Sequence, residues 1–77
     1  MKANISGEFI KELREKRGWG QVEVSAALSV DYGIKIEQSD ISEIERGARG
    51  VKDYELKAFA QLFGVSVDWL LRGDLNG

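Results

Sequence analysis

The chain has 77 residues, a length that suits one small domain, residues 1–77, whose limited core has to be efficient. It contains no cysteine and no histidine, which removes disulfide staples, thiolate metal sites, the usual general base and the commonest metal ligand together. Its net charge of −2 argues mildly against nucleic acid, and its apolar runs are too short to span a bilayer.

The charge is unevenly spread. Residues 1–20 hold five basic and three acidic side chains, residues 21–46 two basic and six acidic, and residues 47–77 four of each. The N-terminus MKANISGEF has no signal-peptide core, so the expected setting is the cytoplasm.

Proline is absent, no repeat or linker interrupts the chain, and glycines punctuate it between stretches of helical apolar spacing. GEFIKELREKRG places Phe9, Ile10 and Leu13 on one face with Lys and Arg opposite, which predicts a first helix. A second is predicted over 21–32, with Gly20 as N-cap, Val24, Ala27 and Leu28 inward and Gly33 as a left-handed stop. The third, over 38–46, turns Ile41 and Ile44 inward and ends at Gly47. A fourth follows Asp53 as N-cap and buries Leu56, Phe59, Ala60 and Phe63. The fifth follows Ser66, carries Trp69, Leu70 and Leu71, and stops at Gly73. The weak alternation of Val30, Ile34 and Ile36 is discounted as a strand, since nothing is available to pair with it. The fold class is therefore all-α, a compact five-helix bundle.

A Gln opening the second helix, then ISEIERG at 41–47, then a segment ending LFGVSVDWLL, resembles the lambda-repressor-like helix-turn-helix domain, the Cro/repressor or XRE-type group. The resemblance covers about 7–73. It implies a five-helix DNA-binding domain, usually dimeric on DNA, whose third helix lies in the major groove. One departure is visible. The stretch from Gln21 to Ser42 is roughly six residues longer than the family pattern, in which the turn is short. The surplus falls in SVDYGIKIEQ, where it is expected to extend the second helix and lengthen the loop, with Tyr32, Ile34 and Ile36 rebuilding the packing.

The acids around the third helix then need sorting. With about 100° between successive residues, Gln38, Ser39, Ser42 and Glu43 lie away from the side set by Ile41 and Ile44. These four are the candidates for base readout; on a helix outside this motif they would be read as a solvated face. Glutamine can pair with adenine, serine can bond either way, and a carboxylate can accept from cytosine N4. Asp40 and Glu37 suit the first turn as caps. The resemblance implies that Glu45 pairs with Arg14 of the first helix as a structural ion pair. It also places phosphate contacts at Gln21, Arg46, Arg49, Lys52 and the amides near Tyr54, where helix termini and basic side chains flank the groove.

Residues 67–75, in particular Val67, Trp69, Leu70 and Leu75, are expected to form a homodimer interface. The tripeptide Arg72-Gly73-Asp74 falls at a helix stop and reads as a capping sequence. Trp19 reads as packing, and Glu12 with Lys16 as an i, i+4 pair on a charged face. No residue pattern points to catalysis, a metal, a cofactor, a small-molecule ligand or a membrane. The expected partner is double-stranded DNA and the expected role a repressor-type transcriptional regulator. The rival is a protein-interaction or antitoxin-like module that kept the fold with weak or no DNA binding, favoured by the acidity of 21–46.

Overall fold

In a computed structural model, which describes residues 6–72, five helices follow one another: α1 (Ser6–Lys16), α2 (Gln21–Tyr32), α3 (Gln38–Glu45), α4 (Asp53–Phe63) and α5 (Val67–Arg72). Among the described residues there is no strand. The helices α2 and α3 pack on each other, α1 lies against α3 and α5, and α4 closes the bundle against α2 and α5. The tail from residue 73 onward, with the expected Gly73 stop, the end of the RGD sequence and Leu75, lies outside the described residues.

The starts of α2, α3, α4 and α5 each have an identifiable side-chain acceptor. In α2, α3 and α4 the third residue is an acid that reaches back to the N-cap amide. Gly20 N donates to Glu23 Oε1 (2.6 Å), Glu37 N to Asp40 Oδ2 (2.9 Å) and Lys52 N to Glu55 Oε1 (2.9 Å). For α5 the hydroxyl of Ser66 accepts from Trp69 N at 2.9 Å. The N-cap of α4 is thus Lys52 and not Asp53, which is already the first helical residue. The acid that closes this turn is Glu55, two positions further on, because an N3 carboxylate can reach the cap amide.

Gly33 ends α2 in the left-handed region at φ 66°, donating to Ser29 O while Ile34 N reaches Leu28 O. Gly47 does the same after α3 at φ 77°, where Ala48 N closes on Glu43 O at 2.8 Å. A side chain with a Cβ at either position would strain the turn.

The core takes Ile10 from α1, Val24 and Leu28 from α2, Ile41 and Ile44 from α3, Leu56, Phe59, Ala60 and Phe63 from α4, and Leu70 from α5. Fully burying one such side chain stabilises by roughly 1.5–3 kcal/mol. The linker at 33–37 is five residues long, and its Ile34 and Ile36 are both buried. The segment between α2 and α3 therefore supplies core of its own, with Tyr32 half-buried beside it. Leu71, grouped with Trp69 and Leu70 in the sequence reading, instead faces outward and is 53% exposed.

Aromatic rings and one arginine close the ends of the bundle. Trp19 stacks on Phe63 with centroids 5.8 Å apart, and Trp69 meets Phe9 edge-on at 5.6 Å. Arg17 lies over the rings of Trp19 and Phe63 and donates to the Leu62 and Phe63 carbonyls. It thereby satisfies the C-terminal end of α4, where a cation also complements the helix dipole.

Candidate nucleic-acid interface

The helix α3 is buried along Ile41, Ile44 and Glu45, so its outward side carries Gln38, Ser39, Ser42, Glu43 and Arg46. Gln38, Ser39 and Arg46 are exposed, while Ser42 and Glu43 are intermediate. The five lie together on one surface because the apolar pair Ile41/Ile44 orients the helix.

Behind this surface a chain of polar contacts joins three helices. Arg14 of α1 meets Glu45 in a forked pair, Nε to Oε2 at 2.7 Å and Nη2 to Oε1 at 3.0 Å. The remaining arm, Nη1, donates to the Trp19 carbonyl at 2.8 Å. Glu45 Oε1 also accepts from Gln21 Nε2 at 3.0 Å, and Gln21 Oε1 in turn accepts from Gln38 Nε2 at 2.6 Å. The Glu45 side chain is 3% exposed and that of Arg14 12%. Among the described residues no buried side-chain nitrogen or oxygen lacks a partner. The hydrogen bonds Arg14 donates to Glu45, with the charge of that carboxylate, raise the Arg14 pKa against the opposing effect of burial.

Gln21 therefore sits inside the same network as Gln38, although the sequence reading kept one for phosphate and the other for bases. Amide geometry still leaves both with capacity. A side-chain amide has two N–H donors and a two-lone-pair carbonyl. Gln38 uses one N–H on Gln21, which leaves its carbonyl and its second N–H. Gln21 uses one N–H on Glu45, which leaves one donor.

Arg49, expected at a phosphate, turns its guanidinium inward onto Glu55 with two hydrogen bonds of 3.0 and 2.9 Å and donates to the Gly50 carbonyl. Its Nε lies 3.9 Å from Asp40 Oδ1. With Glu55 3% exposed, this is a second internal Arg–Glu pair, tying the α3–α4 loop to the first turn of α4. Burial pushes the Glu55 carboxyl up. The hydrogen bonds from Arg49 and the Lys52 amide, with the charges of both residues, outweigh that and hold it below the ordinary carboxylate value. The pair left little trace in the sequence: Glu55 reads as a first-turn acid, and its partner comes from a loop.

Arg46 is exposed, and its Nε donates to the Ser42 carbonyl at 3.3 Å within α3. Lys52 and Tyr54 are exposed at the start of α4, but the Lys52 amide is occupied by Glu55 and the neighbouring Asp53 is an exposed acid. The acids of 21–46 also divide. Glu23 and Asp40 cap helices and Glu45 is paired, which leaves Asp31, Glu37 and Glu43.

Leu70, expected at a dimer interface, is fully buried within this chain. It packs in the core, and its carbonyl accepts from Ser6 Oγ at 3.1 Å. Val67 and Trp69 are half-buried at the edge of that core, and Leu75 lies outside the described residues.

Among the described residues no group of three or more His, Cys, Asp or Glu could hold a metal, and no helix is long and apolar enough to cross a membrane. No curated protein and no solved structure matches the chain. A helix-turn-helix domain family matches residues 7–75, nearly the whole length, in agreement with the lambda-repressor-like likeness carried by ISEIERG and GVSVDWLL. With five helices in the described residues and the α2–α3 pair at their centre, the chain belongs to the helix-turn-helix domain family.

Proposed function

We propose that this protein is a sequence-specific regulator of transcription, of repressor type, that binds double-stranded DNA in the cytoplasm with α3 in the major groove. The observation that carries this reading is the hold on Gln38. Its amide stands exposed at the first turn of α3, fixed by Gln21, which is itself anchored through Glu45 to Arg14. The carbonyl and N–H that remain are the pair needed to accept from adenine N6 and donate to N7. Gln21 keeps one donor for a phosphate beside that base, so a single network supports base and backbone contacts together.

Ser39, Ser42 and Glu43 complete the reading surface, with Glu43 accepting from cytosine N4. Arg46, Lys52 and the start of α4 at Tyr54 supply the remaining phosphate contacts, and Arg49 is left out. The protein acts as a homodimer on two half-sites, through Val67, Trp69 and the exposed Leu71 of α5, in place of Leu70.

Selection from a pool of random duplexes tests this directly. The expected result is an enriched palindrome-like site whose affinity falls steeply with salt. One observation favours the rival reading of a protein-interaction module: Arg49 is committed to Glu55, which leaves fewer cations beside α3. Failure of every duplex to bind above background at low salt would put that module in its place.

A further inference from the structure

An open groove of about 580 Å³ runs between the α2–α3 linker and the outer side of α4, lined by Tyr32, Gly33, Ile34 and Lys35 on one side and Tyr54, Lys57, Ala58 and Gln61 on the other. We propose that this groove binds an acidic segment of a partner protein, one in which carboxylates alternate with aliphatic side chains.

Charge complementarity comes first. The chain has 13 acidic residues and a net charge of −2, yet no carboxylate lines the groove and two lysines do. Lys35 and Lys57 are exposed, and neither takes part in an ion pair among the described residues. The floor argues next. Ile34 and Ala58 are buried, and Tyr54, also in the lining, is 56% exposed. An apolar floor with cations at its rim suits a peptide with both kinds of side chain. A DNA backbone would engage the lysines and leave the floor unused. A small ligand is less well served, because such ligands are generally buried over most of their surface and this site is open.

The groove shares Tyr54 with the proposed phosphate contacts and is otherwise separate from them. It lies at the C-terminal end of α2, about 16 Å along the helix from Gln21 at 1.5 Å per residue. Half of its lining comes from the surplus segment between α2 and α3, so the added residues build this surface as well as filling the core.

The test uses the full chain and three probes: a short synthetic peptide alternating glutamate with leucine, the same peptide with lysine for glutamate, and a random duplex. Amide shifts of Gly33, Lys35 and Ala58 report on the groove, and anisotropy of the labelled peptide gives affinity. The acidic peptide should shift these amides. Lys35→Glu with Lys57→Glu should weaken it by on the order of tenfold, as reversal of two surface charges implies. Affinity for selected duplex should fall by less than affinity for the acidic peptide, because neither lysine is a proposed phosphate contact and the reversed charges act on DNA only at longer range. Binding of the basic peptide as tightly as the acidic one, or no groove shift with either, would overturn the proposal. So would duplex shifting these amides and losing as much affinity in the double variant as the acidic peptide does, since the groove would then be a phosphate contact. Loss of all duplex binding by the wild type would sink the DNA reading and leave the peptide result standing on its own.

Discussion

Gln38 donates to Gln21 across 2.6 Å, joining the first residue of α3 to the first residue of α2. In the proposed reading Gln38 reads a base, a task for which a side chain has to be held in one orientation, and this contact supplies the hold at the cost of one of its two N–H groups.

Gln38→Ala should therefore relax discrimination at one position of the half-site by about 1–3 kcal/mol. Gln21→Ala should relax the same position, since it frees Gln38 to rotate, and should also lower overall affinity by removing a phosphate donor. Binding of single-base operator variants to both mutants and to the double mutant measures this. Effects at different positions, or strictly additive ones, would separate the two glutamines.

Glu45→Ala leaves Arg14 without its partner in a setting where both side chains are largely buried. The expected loss is on the order of 3 kcal/mol in urea unfolding, with strong coupling in a cycle with Arg14→Ala. The Gln21–Gln38 contact depends on the same carboxylate, so base discrimination should fall alongside stability. Stability loss with discrimination intact would detach the ion pair from readout.

Arg46 and Arg49 are separated by three positions and should behave differently. Arg46→Ala is expected to lower the salt slope of DNA binding by about one unit and to leave stability nearly unchanged. Arg49→Ala should leave the slope alone and destabilise the fold by about 3 kcal/mol, because it strands the buried Glu55. The same pair sets an acid dependence. Glu55 is held below its ordinary value of 4.5 in the folded chain, so its contribution is present above that value and is lost as pH falls through the lower folded pKa. Urea midpoints recorded as the pH is lowered through this range should fall less in Glu55→Gln than in the wild type.

In the proposed reading Glu43 repels phosphate generally and is tolerated only where an amino group meets it. Glu43→Gln should raise affinity for random duplex and lower discrimination at one position by about 1–3 kcal/mol. Equal tightening on every operator variant would show that the residue reads nothing.

The helices were legible in the chain because their causes are local. Apolar spacing at 3.6 residues and a left-handed glycine at 33 and 47 act within a turn or two of themselves, while the cap of α4 falls at Lys52, one residue before the Asp53 that the sequence indicates. The buried set of Ile10, Val24, Leu28, Ile41, Ile44 and Phe59 was legible too. The resemblance added the Arg14–Glu45 pairing, which joins residues 31 apart in sequence. Local pattern alone does not specify such a contact.

Partnership across elements was not legible. Nothing in the spacing of Arg49 and Glu55 says that a loop guanidinium will turn inward onto a buried carboxylate instead of outward to phosphate. Leu70 and Leu71 are identical neighbours, yet one fills the core and the other is exposed, because a short helix such as α5 is oriented by what α1 and α4 offer it. Gln21 and Gln38 likewise became one device only when α2 and α3 packed together. Each residue type carries a capacity to bond. The fold chooses the partner, since a desolvated charge or amide takes whichever complementary group the packing brings within about 3 Å.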